Sequence, residues 1–331
     1  MTNPRTTDNA GSLAMLGVDA GGTKVTVGPV DAQGRLLAEP LTQPSQTRDA
    51  ASFLAGLTAT LRAALARFEM PTGGVGMACA GTVDPVRGVV VTSPNLPLVE
   101  VPLRDLLEKA LGMKVVLEND ANAAVLAEAT AGIAAGLRHV VMLTLGTGVG
   151  GGLYLDGRLY RGVGGGAGEL GHAIVLVDGE LCRCGSRGCL EMYASGNALA
   201  RAGARRAASP ELDPRGDLAA LQRRGELDGA SVARLAGEGH PGAAAAVEEV
   251  ARWLGMGLVG LTNSFNPEMI VIGGGASALG EMLLRPAREV VRELALSPNK
   301  DQVQIATAAL GNSAGLVGGA LVAWEKFGPQ G

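Results

Sequence analysis

The sequence predicts an α/β fold made of two similar domains that face one another across a cleft. Three observations predict it. Strand-like and helix-like segments alternate along the chain, glycine clusters follow directly on apolar strands, and a strand–glycine turn–strand unit occurs twice. A length of 331 residues suits about two domains at ~150 residues each. It is ample to bury a core without disulfide staples.

The first copy of the unit opens the chain. Met15 to Asp19 reads as a short buried strand, Gly21-Gly22-Thr23 as a turn, and Val25 to Val30 as a second strand. A turn over residues 31–34 leads to a third strand expected at 35–38. Apolar residues Phe53, Leu54, Leu57, Leu61, Leu65 and Phe68 recur at helical spacing, so residues 50–68 are a helix. Strand at 75–80, helix at 103–111, strand at 114–117 and helix at 121–131 continue the alternation. The second copy begins with a strand over Val140 to Leu145, the turn Gly146-Thr147-Gly148 and a strand at 152–155. Asp156-Gly157-Arg158-Leu159 then parallels the earlier Asp31 to Leu36 stretch. Long helices are expected at 243–263, 276–295 and 314–327. Residues 205–229, rich in Arg, Asp, Pro and Gly, are expected to be a surface insertion.

Composition excludes several classes. Lys and Arg number 28 against 32 Asp and Glu, a net charge of −4, and aromatics are only 3 %. Such a chain has neither a basic footprint for phosphate backbones nor platforms for base stacking, so nucleic acid is not an expected partner. The 51 glycines are about twice the usual ~7 % share. Clustered rather than periodic, they imply tight turns and not collagen. Residues 1–12 are polar and lack the apolar core of a secretory signal. The most apolar long stretch, 242–261, carries Glu248, Glu249 and Arg252, so no membrane span is expected. A cytoplasmic enzyme is the default.

The glycine clusters are candidate phosphate sites. Asp19-Ala20-Gly21-Gly22-Thr23-Lys24 places two glycines, a hydroxyl and a cation after a strand, where backbone N–H groups can approach an anion. An ordinary hairpin turn explains the same residues equally well. Gly146 to Gly151 satisfies the GxGxxG spacing of a dinucleotide site. Here, however, a strand and not a helix follows, so what survives is a second anion-binding hairpin. Ile270 to Ala276 runs from strand into helix through Gly273, Gly274 and Gly275, a seat for a nucleotide or simply a close-packed helix-capping turn.

Three of the four cysteines fall within eight residues, Cys182, Cys184 and Cys189, with nine residues separating Cys182 from His172. Three thiolates and an imidazole make the closed tetrahedral set of structural zinc. A disulfide is the alternative, which an odd count of three in a cytoplasmic chain disfavours. Cys79 stands alone in a strand and reads as a small buried hydrophobe. Glu118-Asn119-Asp120-Ala121-Asn122 lies where a strand ends and a helix begins. Asp120 there is either that helix's cap or a carboxylate presented at the strand's C-terminal edge. Glu169 and Glu191, flanking the cysteine cluster, are further candidates.

Taken together, the residues resemble the ROK family of sugar kinases and related repressors over about 15–327. The most specific elements are Gly168-Glu169-Leu170-Gly171-His172, Cys182-Arg183-Cys184-Gly185 and Gly188-Cys189-Leu190-Glu191. Asp19 to Lys24, Pro94-Asn95-Leu96, Glu118 to Ala123 and Leu143 to Gly151 also match family segments. The resemblance implies actin-like, hexokinase-type (ribonuclease H-like) domains and ATP-dependent phosphorylation of a hexose, glucose before N-acetylmannosamine or fructose. It implies Asp120 as general base, and Asn95, Asn119, Glu169, His172 and Glu191, with Asp120, on the sugar. ATP with Mg²⁺ would lie on Asp19, Gly21, Gly22, Thr23, Lys24, Gly146, Thr147 and Gly148, with adenosine near Gly274 and Gly275. One structural Zn²⁺ would sit on His172, Cys182, Cys184 and Cys189. The expected division is 1–117 and 118–314, with the C-terminal helix 315–331 packed on the first domain, in a homodimer. The family also holds sugar-sensing repressors. These carry an N-terminal helix-turn-helix, for which the 14 residues before the first strand are too few.

Overall fold

The computed structural model describes residues 13–329; residues 1–12, read above as lacking a secretory signal, lie outside them, as do 330–331. Along the chain run β1 (Ala14–Ala20), β2 (Lys24–Val30), β3 (Leu41–Pro44), α1 (Ala50–Phe68), β4 (Thr72–Cys79), β5 (Thr82–Asp84), β6 (Val89–Thr92), β7 (Val99–Val101), α2 (Leu103–Leu111), β8 (Val115–Asn119) and α3 (Asp120–Ala131). There follow β9 (Val140–Leu145), β10 (Val149–Leu155), β11 (Arg158–Leu159), α4 (Glu191–Ala194), α5 (Gly196–Arg206), α6 (Asp217–Arg224), α7 (Gly229–Gly237) and α8 (Pro241–Phe265). The chain closes with β12 (Met269–Gly273), α9 (Glu281–Leu294), α10 (Asn299–Gln302), β13 (Gln304–Thr307) and α11 (Ala314–Phe327).

These elements form two compact units. The first comprises residues 13–131, Arg161–Gly166 and 312–329, the second Gly132–Tyr160 and Ala167–Gly311. The first unit therefore runs past the expected boundary at 117, because α3 and α11 pack backbone to backbone. A Cβ on Gly318 would lie 1.8 Å from the Ala123 carbonyl oxygen.

Each unit is built on a five-stranded sheet of the same plan. The order is β3-β2-β1-β4-β8 in the first and β11-β10-β9-β12-β13 in the second. In both, a central strand pairs antiparallel with the next strand and parallel with a later one: β1 with β2 and β4, β9 with β10 and β12. The duplication read from the glycine turns is thus a duplication of topology. Central strands are apolar and buried on both faces, β1 and β4 in one core, β9 and β12 in the other. Helix α1 starts where Asp49 accepts the Ser52 N–H at 2.7 Å, and buries Phe53, Leu57 and Leu61.

Helix α11 is seated on β1 and β4 by glycines. A Cβ at Gly17 would lie 2.0 Å from the Leu316 oxygen, and one at Gly76 1.8 Å from the Gly319 oxygen. Backbone contacts this close leave no room to relax. Gly76→Ala is therefore predicted to cost about 3 kcal/mol or more, read as a fall in thermal midpoint. An unchanged midpoint would mean that α11 does not rest on β4.

Several expectations need correction. Residues 35–38 are no strand: Asp31 Oδ1 takes the Gln33 and Arg35 N–H groups, holding the turn. Only Leu36 bridges back, and the ladder resumes at β3. Residues 205–229 are not a surface insertion, since they complete α5 and form α6, with Leu218 and Leu221 buried. Buried Asp213 fixes them, accepting the Ala219 N–H at 2.9 Å and lying 3.0 Å from His240 Nε2 at the start of α8. The helix expected at 276–295 breaks at Gly280 into a 3-10 turn and α9. Strand β10 begins at Val149 rather than 152, so the glycine run lies in the ladder. The small sheet β5-β6-β7 and strand β13 were not anticipated. No helix among the described residues is long and apolar enough to cross a membrane.

Candidate functional site

In the first unit, three parallel strands end together. Register pairs Asp19 with Ala78, Ala20 with Cys79, and Cys79 with Asn119, so β1, β4 and β8 deliver Asp19, Cys79 and Asn119-Asp120 to one edge of the sheet. The β1–β2 turn carries Gly21, Gly22, Thr23 and Lys24, closed by the Gly21 N–H on the Lys24 oxygen at 3.0 Å. Gly22 backs onto Asn95: an added Cβ would lie 2.7 Å from the Asn95 oxygen. Asn95 itself is exposed on a turn in which Ser93 Oγ accepts the Leu96 N–H at 3.1 Å. Five expected residues of the first glycine loop, together with Asn95 and Asp120, are therefore neighbours within one unit.

Asn119, not Asp120, caps α3. Its Oδ1 accepts the N–H groups of Ala121 and Asn122 at 2.9 and 3.0 Å, while its Nδ2 donates to the Gly81 oxygen at 3.0 Å. Both bonds to Asp120, from Ala121 N and Asn119 Nδ2, fall on Oδ1. The Asp120 surface reaches solvent, yet the protein packed around it desolvates the carboxylate. That desolvation, with the Asp19 charge added, pushes its pKa up to about 6 against the opposing pull of its hydrogen bonds. Burial likewise raises Asp19, with Lys24 opposing. Burial, with the charges of Asp120 and Asp19, pushes the Cys79 thiol to about 12, an inert buried group. A carboxylate poised at about 6 is suited to accept a proton near neutral pH.

One group here was not singled out from sequence. Glu118 is buried, its Oε1 taking the Asn119 N–H at 3.1 Å and Asn122 Nδ2 at 3.0 Å, its Oε2 taking Arg161 Nε at 2.6 Å. No spacing rule links positions 118 and 161.

In the second unit, the strand ends of β9 and β12 lie side by side, Thr144 paired with Gly273. That pairing sets the β9–β10 hairpin, Gly146-Thr147-Gly148, beside Gly274 and Gly275. A Cβ on Gly274 would meet Leu145 backbone atoms at 2.5 Å, and its φ is +79°, so only glycine fits. Gly146 and Gly275 face open space. The hairpin is tied down by Glu191, whose Oε2 accepts the Val149 N–H at 2.9 Å and leaves no room for a side chain at Gly148.

The loop carrying Glu169 and His172 lies along β10, because Gly171 and Gly168 approach Val149 and Gly151 where no Cβ intervenes. His172 Nε2 is 3.8 Å from Glu169 Oε2, and its Nδ1 is 3.7 Å from Cys182 Sγ. Cys184 and Cys189 sulfurs are 3.6 Å apart, and the four ligand atoms all lie within 4.8 Å of one another. A tetrahedron built on Zn–S bonds of ~2.3 Å has edges of about 3.8 Å, so these donors fit such an ion with little movement. Turns at Gly185 (φ +93°) and Gly188 (φ +77°) fold the three cysteines back together. Hydrogen bonding, chiefly from the Ser186 backbone, lowers Cys184 to about 7, whereas burial and the neighbouring sulfurs push Cys189 to about 12. Both are features of a set that a cation would draw into full ionisation. Glu191 touches this cluster too, its Oε1 lying 4.0 Å from Cys182 Sγ.

The ROK family's sequence model matches residues 15–326. A curated relative, the glucokinase of Streptomyces coelicolor, is 38 % identical over 315 residues, covering 94 % of this chain and 97 % of its own. The xylose repressor of Caldicellulosiruptor bescii is 34 % identical over 227 residues, 68 % of this chain but 56 % of the repressor. Among solved structures, a ROK family glucokinase from Streptomyces griseus, in complex with glucose and AMPPNP, superposes with a TM-score of 0.80. It is 38 % identical, with 94 % of this chain and 99 % of that one covered.

Proposed function

The chain belongs to the ROK family, and from that premise we propose that it transfers the γ-phosphoryl group of ATP to a hexose, glucose first, to give glucose 6-phosphate. The observation that carries the reading is Asp120. It stands on the same sheet edge as the Gly21-Gly22 turn, is relieved of capping duty by Asn119, and has its pKa raised to about 6. A carboxylate so placed accepts the proton of the attacking sugar hydroxyl as the phosphoryl group is transferred. The hydrogen bonds from Asn119 Nδ2 and the Ala121 N–H both fall on Oδ1, which leaves Oδ2 to take the hydroxyl proton. The relatives named for glucokinase activity, one of them solved with glucose and AMPPNP, support glucose and ATP as the ligands.

Asn95, Asn119, Glu169, His172 and Glu191 are the hydroxyl-binding set, and the two glycine hairpins offer backbone N–H groups to phosphates. Asp19 is the carboxylate offered to the magnesium ion that accompanies ATP, a hard oxygen ligand suited to that ion. Adenosine is assigned to the open surface at Gly275. His172, Cys182, Cys184 and Cys189 hold one zinc ion, which supplies no step of the reaction and fixes the imidazole, leaving Nε2 toward Glu169. The family's repressors are the second reading; the intact Asp120 and Asp19 to Lys24 favour the enzyme.

A coupled assay of ADP release against a panel of hexoses tests the proposal. Turnover should be highest with glucose and far above the rate without sugar. Folded protein that turns over none of the panel would leave binding without catalysis as its role.

A further inference from the structure

We propose that Arg161 is a positioning residue that holds Asp120 in register by way of Glu118. The proposal rests on the reading of Asp120 as general base. Asp120 is the first residue of α3, so its direction is set by the first turn of that helix. One carboxylate grips both ends of that turn: Glu118 Oε1 accepts the Asn119 N–H at 3.1 Å and the Asn122 Nδ2 at 3.0 Å. Its other oxygen takes Arg161 Nε at 2.6 Å. The Glu118 side chain is 3 % exposed, so its charge is tolerable only with a cation against it. Arg161 meets that need from a segment, Arg161–Gly166, that joins the first unit although the chain on either side of it belongs to the second. Its planar fork also turns Nη2 toward Glu325 Oε2 on α11, at 3.8 Å. Neither Glu118 nor Arg161 is assigned a substrate contact. Their effect is on where Asp120 points.

Without Arg161, Glu118 is a buried unpaired carboxylate. Water must then enter to solvate it, and its hold on the first turn of α3 loosens. Misplacement of a catalytic group by ~1 Å costs on the order of 10²-fold. Arg161→Met should therefore lower kcat by about 10–100-fold, with the KM for glucose kept within about threefold, since Asn95, Glu169, His172 and Glu191 of the hydroxyl-binding set are untouched. Because breaking a buried ion pair also costs stability, two charge-free variants carry the test independently. Glu118→Gln/Arg161→Met keeps an oxygen on the Asn119 N–H and should hold kcat within about fivefold of the parent. Glu118→Ala/Arg161→Met discards that oxygen and should fall about 10–100-fold in kcat at similar KM. A merely structural role would lower the thermal midpoints without splitting kcat from KM. Equal kcat in the two double variants, or a folded Arg161→Met with the parent's kcat, overturns the proposal. Asp120→Asn assayed in parallel separates the two readings. Full turnover there removes the base and this proposal with it, whereas an inactive Asp120→Asn beside an unimpaired Arg161→Met removes only the positioning role.

Discussion

Asp120→Asn should lower kcat by about 10²–10⁴-fold, the usual worth of a general base, while the affinity for glucose changes far less. Asparagine keeps the size of the side chain and an oxygen for the Ala121 N–H, but it cannot take a proton. Stability separates this from a capping role. Asn119 supplies the cap, accepting both Ala121 and Asn122 N–H groups. The folded-state pKa of Asp120 is raised, so its ionised form is less favourable in the fold than in the unfolded chain, and that cost is present above pH ~6. Removing the charge relieves the cost and offsets the loss of ~0.3–1 kcal/mol from a carboxylate at a helix N-terminus. At pH 7 the thermal midpoint of Asp120→Asn should therefore equal or exceed that of the parent. The same shift fixes the acid limb of the rate. In the parent chain kcat/KM should fall as pH drops through about 6, since protonated Asp120 cannot act as base. An ordinary aspartate would sustain the rate to about pH 4. A variant with near-parent turnover, or a large loss of midpoint, would defeat the assignment.

How much of this was legible in the sequence depends on how local each cause is. The apolar spacing of α1 and the glycine turns after β1 and β9 are written in consecutive residues, and these elements fall where they were expected. The cysteine cluster was legible for the same reason, since two glycine turns bring Cys182, Cys184 and Cys189 together within one short segment. Three other features depend on distant partners. Residues 35–38 lost their strand to the side chain of Asp31, and α6 took shape because Asp213 and His240 meet inside the protein. The ion pair between Arg161 and Glu118 spans 43 residues, with no periodicity to announce it. Glu191 shows the same limit at finer scale. Its place after Cys189 marked it as a site residue, but only the fold shows its carboxylate on the Val149 N–H, where a Cβ at position 148 would displace it. Residue identity was readable; which oxygen faces which donor was not.

The coupling through Glu191 makes the metal cluster the second place where a single change should have a large effect. The purified chain should hold about one zinc ion per molecule by elemental analysis, as one closed set of three cysteines and a histidine implies. Cys184→Ala should lose that metal, because the remaining three donors no longer close the tetrahedron. Two consequences follow by separate routes. His172, freed at Nδ1, no longer holds Nε2 toward Glu169, so glucose binding measured by calorimetry should weaken by at least about tenfold, the lower end of what loss of a metal-site partner costs. Cys189, freed in turn, no longer anchors the chain two residues before Glu191, whose Oε2 fixes the Gly148–Val149 hairpin. Nucleotide binding should therefore weaken as well, although no cysteine is assigned to the nucleotide. Cys79→Ala is the control: Cys79 lies in β4 of the other unit, and its loss should leave zinc content and both affinities intact while lowering the thermal midpoint. Chelation of the parent chain should reproduce Cys184→Ala in both affinities, and restored zinc should reverse it in the parent alone. A metal-free chain with undiminished hexose turnover would refute both the site and the link from it to the hairpin.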